Sequence, residues 1–72
     1  MAKQGTGVYR VTEVIGTSAS SWEDATRNAV KVAAKSLRDL RIAEITKLDV
    51  RIENGKVSQF RSRVSLSFKY EA

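Results

Sequence analysis

The sequence predicts a small α+β domain of order βαββ, in which a three-stranded antiparallel sheet curls around one amphipathic helix. Three observations carry that prediction. Apolar residues recur at helical spacing between Ser20 and Leu40, the period changes to two from Arg41 onward, and Asn54-Gly55 divides the second part into two strand-like runs. A 3.6-residue period marks an amphipathic helix and alternation marks a half-buried strand. Asn-Gly between alternating runs is the strongest short hairpin signal, because both residues tolerate the positive φ of a type I′ turn.

The first element is Val8 to Ile15, rich in β-branched and aromatic residues and therefore a strand. Tyr9, Val11 and Ile15 share one face with Glu13, while Val8, Arg10, Thr12 and Val14 share the other. Gly16-Thr17-Ser18 reads as a short polar connection to the helix.

The helix is expected over Ser20 to Leu40. Ser20-Ser21-Trp22-Glu23 has the form of a capping box, the Ser20 hydroxyl taking the N–H of Glu23 and the Glu23 carboxylate reaching back. Glu23 and Asp24 suit the positive end of the helix dipole, and Lys35, Arg38 and Arg41 suit the negative end. Trp22, Ala25, Thr26, Ala29, Ala33, Ser36, Leu37 and Leu40 fall on one face, with Asp24, Arg27, Asn28, Lys31, Lys35 and Arg38 opposite.

The second strand runs from Arg41 to Glu53. Strict alternation places Ile42, Glu44, Thr46, Leu48, Val50 and Ile52 on one face and Ala43, Ile45, Lys47, Asp49 and Arg51 on the other. The third runs from Lys56 to Tyr70, with Phe60, Val64, Leu66, Phe68 and Tyr70 against Gln59, Arg61, Arg63, Ser65, Ser67 and Lys69. The two long strands form a hairpin and the first strand joins beside one of them. At roughly 3.4 Å per residue the third strand spans about 45 Å or more, whereas a compact chain of this length is about 30 Å across. The hairpin must therefore curl around the helix, project beyond it, or both.

Seventy-two residues make one domain, expected at 8–72 behind a flexible tail at 1–7. A chain this short buries only about 60% of its unfolded surface. With no Cys and no His, disulfides and the common transition-metal sites are absent, so oligomerisation with closed symmetry is the remaining source of stability. No membrane span or signal peptide is visible, which makes a cytoplasmic protein the expectation. The net charge of +5 invites a nucleic-acid reading, but basic residues are scattered with acids between them, and a solvated basic surface is the preferred account.

No activated nucleophile or poised acid–base pair is legible, so no catalysis is expected. The carboxylates Glu13, Glu44, Asp49 and Glu53 read as surface acids that no spacing brings together. Trp22 reads as a core or interface anchor rather than a stacking platform. Arg61 and Arg63 project from the polar face of the third strand, solvated or paired with acids across it.

Several stretches together resemble the dodecin family: Val8-Tyr9-Arg10-Val11 leading to Gly16-Thr17-Ser18, the cap Ser20-Ser21-Trp22-Glu23-Asp24-Ala25, the Asn54-Gly55-Lys56-Val57 turn, and Val64-Ser65-Leu66-Ser67-Phe68. The similarity runs from Val8 to Tyr70. It implies βαββ subunits assembled into a hollow homododecamer of cubic 23 symmetry that stores or buffers riboflavin, FMN or related flavins without catalysis. Coenzyme A has been linked to some members.

The departures from that pattern are as informative. Flavin-binding dodecins open the second strand with a Trp that stacks on the isoalloxazine ring, in a motif such as Trp-Ala-Glu; the corresponding stretch here is Arg41-Ile42-Ala43-Glu44, so Ile42 takes the stacking position. The family's flavin-edge glutamine corresponds to Arg61, which offers donors only. Both changes weaken a flavin clamp. The same combination resembles a subgroup described as calcium-binding, for which Asp49, Glu53, Glu13 and Glu44 are the available carboxylates, to be assembled between subunits.

Three functions follow as expectations. The first is a small-ligand shell in which Arg61 and Arg41 replace stacking with charge and favour FMN over riboflavin. The second is a shell that binds calcium through Asp49 and Glu53. The third is a basic protein that contacts nucleic acid. The first is the reading adopted from the sequence.

Overall fold

In the computed structural model, which describes residues 7–69, the elements run β1 (Tyr9–Ser18), α1 (Trp22–Ala33), β2 (Leu40–Glu53) and β3 (Lys56–Lys69). Most of the expected N-terminal tail, and Tyr70 at the end of the third strand, lie outside the described residues. The βαββ order and the antiparallel sheet are as the sequence predicts. The sheet order is β1-β3-β2, so β3 is central and the first strand joins beside the third. Asn54 and Gly55 both take positive φ, 53° and 75°, which matches the two-residue turn expected of them.

β1 is longer than the sequence indicates. Gly16, Thr17 and Ser18 are not a connection but continue the strand, opposite Ser62, Arg61 and Phe60 of β3. Gly16 also lets the helix come close: a Cβ there would stand on the Ala25 carbonyl oxygen and 2.8 Å from the Ala29 Cβ.

The helix is shorter than expected at both ends. Its N-cap is Ser21, whose Oγ accepts the Asp24 N–H at 3.0 Å, one residue later than the Ser20 capping box. The Ser20 N–H donates instead to Ser18 Oγ, which in turn donates to Asp24 Oδ2. The helix stops at Ala33, where the N–H groups of Ser36 and Leu37 both turn back to the Ala33 carbonyl. Asp39, with φ 55°, then redirects the chain into β2. Leu37 and Leu40 satisfied helical spacing because they reach the core from the turn and from the first residue of β2.

β2 departs from strict alternation. Ile45 pairs with Val64 and Lys47 with Arg63, so Thr46 is an extra residue that switches the faces of everything after it. Side chains opposite each other share a face. Ala43 and Ile45 therefore lie on the helix side with Leu66 and Val64, followed by Leu48 and Val50 with Ser62 and Phe60. Ile42, Glu44, Lys47, Asp49 and Arg51 all lie on the other side, which corrects the expected placement of Asp49 opposite in face to Ile42.

The core is thin. Ala29 and Ala33 bury small side chains against Val64 and Leu66 at the centre of the sheet, with Val14, Val30, Leu37 and Leu40 around them, and Ala25 is buried over Gly16. Burial of Val64 and Leu66 contributes about 1.5–3 kcal/mol each. The helix lies on β1 and β3 and barely touches β2. The molecule measures 55 × 20 × 17 Å with a radius of gyration of 14.9 Å, above the about 11 Å of a compact chain of this length, so the hairpin does project.

Candidate functional site

The sequence-predicted ligand residues lie on the sheet face turned away from the helix. There the central strand carries Gln59, Arg61, Arg63, Ser65 and Ser67. β2 sets Ile42 beside Ser67, Glu44 beside Ser65, Lys47 beside Arg63 and Asp49 beside Arg61, and β1 sets Val11, Glu13, Ile15 and Thr17 along the opposite edge.

Arg61 and Asp49 form a two-point pair, Nε to Oδ1 at 2.8 Å and Nη2 to Oδ2 at 3.2 Å. The hydrogen bond from Arg61 holds the Asp49 carboxyl below its ordinary value, helped by the charges of Arg61, Arg63 and Lys47, against a partial desolvation that acts the other way. The same bond raises Arg61. Arg61 thus enters any site already bound to a carboxylate, and a ligand anion must compete with Asp49 for it.

The remaining expected residues are dispersed. Ile42 is 62% exposed, and its β3 partner Ser67 lies six residues from Arg61, roughly 20 Å along the strand. One subunit therefore does not bring Ile42 and Arg61 together. Arg41 sits exposed in the register shift between Leu40 and Ile42. Glu53, at the hairpin tip, pairs with Arg51 Nη2 at 3.1 Å. Glu13 stands 3.9 Å from Arg63 Nη1. Glu13 and Glu44 flank Ser65 from the two edge strands. Among the described residues no three carboxylates gather where one subunit could hold a metal ion.

Behind this face stands an arrangement that sequence reading did not give. The Trp22 indole N–H donates to the Asp49 carbonyl at 3.0 Å, and its ring meets Phe60 edge-on with centroids 5.2 Å apart. Trp22 is an anchor, as its position on the apolar helix face indicated, but the strand it anchors is the one carrying Asp49. The hairpin turn supplied part of the signal. Counting back from Glu53 opposite Lys56 places Asp49 opposite Phe60; a third irregularity, between Arg51 and Ile52, shifts it to Arg61. Bulges of this kind leave little trace in a single sequence.

Comparison with known proteins gives a consistent result. The family model for dodecin matches residues 8–71. The chain is 37% identical over 62 residues to the calcium dodecin of Mycobacterium tuberculosis, covering 86% of this chain and 87% of that protein. The structure of dodecin from Streptomyces coelicolor superposes with a TM-score of 0.88 at 40% identity, over 94% of this chain and 97% of that one. The structure of the Mycobacterium tuberculosis calcium dodecin, described as a calcium-chelating antigen with a novel calcium-binding site, superposes with a TM-score of 0.80 at 36% identity, over 89% of this chain and 91% of that one.

Proposed function

The chain belongs to the dodecin family, and from that premise we propose that it is a non-catalytic small-ligand-binding and storage protein working as a homododecameric shell. The observation that carries the proposal is the apolar surface a single subunit leaves uncovered. Val11, Ile15, Ile42, Ile45, Leu48 and Ile52 are exposed by between 46% and 64% in a chain whose buried core is mostly alanine. Monomers rarely leave this much apolar surface open, and copies of the same chain are the partner at hand. No helix among the described residues is long and apolar enough to cross a membrane.

The ligand is held by charge more than by stacking. Ile42 supplies no aromatic plane, and Arg61 is engaged by Asp49. A flavin that binds at all does so through its phosphate, with FMN ahead of riboflavin and Arg61 and Arg41 as the contacts. Calcium is the second reading, favoured by the identity to a relative named calcium dodecin. Six to eight oxygens are needed, so Glu44, Asp49 and Glu53 contribute only where a second subunit completes the shell around the ion.

Native mass spectrometry of the purified protein, followed by melting with calcium, FMN or riboflavin, tests both readings. The expected outcome is a dodecamer whose melting temperature rises with FMN more than with riboflavin. A rise with calcium alone that disappears in Asp49→Asn/Glu53→Gln selects the metal reading. A monomer, or a dodecamer that responds to none of the three, refutes the function proposed.

A further inference from the structure

The outward face of α1 carries a line of cations that the rest of the chain leaves unused. We propose that this line, formed by Arg27, Lys31 and Lys35, holds the phosphate backbone of duplex nucleic acid without reading its sequence. It lies on the opposite side of the molecule from the sheet face that carries Ile42 and Arg61.

The helix gathers basic residues that the sequence spreads out. Ala25, Ala29 and Ala33 are the buried positions of α1, turned to the sheet. Arg27, Lys31 and Lys35 each follow two residues later, about 200° around the axis, so they point away from the sheet. All three are exposed. The turn carries the line past Ala33, because the Lys35 N–H still bonds back to the Val32 carbonyl at 3.2 Å. No acid interrupts the chain from Ala25 to Arg38. Asp24, just before it, accepts the Ser18 hydroxyl at 2.8 Å. Among the described residues none of the three cations takes part in an ion pair, since the pairs formed use Arg51, Arg61 and Arg63.

The helix dipole accounts for a cation such as Lys31 in the last turn, but not for Arg27 in the middle of α1. Like charges four residues apart repel, and the chain supplies nothing that relieves them. A polyanion does. Four residues advance about 6 Å along a helix, close to the about 6.8 Å between alternate phosphates of one duplex strand. No aromatic ring stands in the line, because Trp22 is turned to Phe60 and to the Asp49 carbonyl. Bases therefore have no stacking platform, and the contact is with phosphates. A lipid surface fits less well: an interfacial helix sinks its apolar face into the bilayer, and α1 spends that face on the sheet. Assembly leaves the line open too. Among the described residues the exposed large apolar side chains lie on the strands, apart from Val8, Trp22 and Val32, and none of these three is in the line.

Fluorescence anisotropy of a labelled duplex of roughly 12 base pairs, titrated with the assembled protein at about 25 and about 100 mM KCl, tests the line. Three phosphate contacts give a slope of about −2.7 in log affinity against log salt, so affinity should fall about fortyfold over that range. Two unrelated sequences should bind alike. Arg27→Gln/Lys31→Gln leaves one contact and a fall of only about three- to fourfold, and glutamine keeps the helix propensity. Lys56→Gln, which removes an exposed cation at the hairpin turn, should keep the wild-type slope. Equal loss in Lys56→Gln and in the double variant would mean diffuse attraction to a basic protein and would overturn the site. So would an unchanged slope in the double variant, a tenfold preference for one sequence, or no anisotropy change at the lower salt. Binding to phosphatidylserine vesicles but not to the duplex would overturn it in favour of a membrane surface. Should the double variant melt early, Lys35→Gln, beyond the end of α1, is read in its place: the fall should shrink to about twelvefold, and an unchanged fall counts against the proposal.

Discussion

The indole N–H of Trp22, the first residue of α1, donates to the backbone carbonyl of Asp49 on β2 at 3.0 Å. Elsewhere the helix scarcely reaches β2, so this bond and the edge-on contact with Phe60 tie the helix N-terminus to the projecting hairpin. Whatever occupies Asp49 and Arg61 on the outer face is thereby one residue's thickness from the tryptophan on the inner face.

Trp22→Phe keeps a ring against Phe60 and loses the hydrogen bond, at a cost of about 1 kcal/mol. Trp22→Ala loses the aromatic pair and apolar area as well. Because Trp22 is 39% exposed, the total should be about 2–3 kcal/mol, short of the about 3–5 kcal/mol of a fully buried Trp. Melting at fixed subunit concentration reads both, since assembly makes stability concentration-dependent. Equal costs for the two variants would show that the ring contact contributes nothing.

Ser21→Ala should cost about 1 kcal/mol, the usual price of a lost N-cap, because Ser21 Oγ accepts the Asp24 N–H. Ser20→Ala should cost close to nothing, since Ser20 uses only its backbone N–H, toward Ser18 Oγ. Paired thermal melts decide between them, and the reverse order would restore the capping box centred on Ser20.

The Asp49–Arg61 pair predicts an acid-sensitive contribution. The Arg61 hydrogen bond depresses the folded-state value of Asp49 below the ordinary 3.8. Stability from the pair is therefore complete above 3.8 and is lost as pH falls through the folded-state value. Both side chains are open to solvent, so the effect is small. Melting temperatures of wild type and Asp49→Asn should differ at pH 7 and converge as the pH is taken well below 3.8. A gap that persists unchanged in acid would assign the loss to something other than the ion pair.

Ile42→Trp combined with Arg61→Gln should raise riboflavin affinity above that of the natural sequence. The change sets at the two positions the Trp and Gln that the family resemblance implies for a flavin clamp. Aromatic stacking contributes about 0.5–1.5 kcal/mol beyond area burial at each ring, enough for roughly tenfold tighter riboflavin binding once two rings clamp the ligand. Quenching of riboflavin fluorescence measures it, and no gain would mean that the neighbouring subunit surface has also changed.

The sequence by itself determined the order βαββ, the hairpin at Asn54-Gly55, the amphipathic character of the helix and the small core of so short a chain. Each of these rests on local rules: the 3.6 and 2.0 periods, the φ preferences of Asn and Gly, and the ratio of core to chain length. Only the tertiary structure decided that β3 is central, that Gly16 to Ser18 stay in the sheet, and that the helix stops at Ala33 with Leu37 and Leu40 filling the core from outside it. It alone set Asp49 against Arg61, through the shift after Arg51, and on the face of Ile42, through the extra residue at Thr46. Strand order and bulges are fixed by which backbone groups pair across the chain and by how closely alanines let a helix approach, and those are non-local quantities that no window of sequence contains.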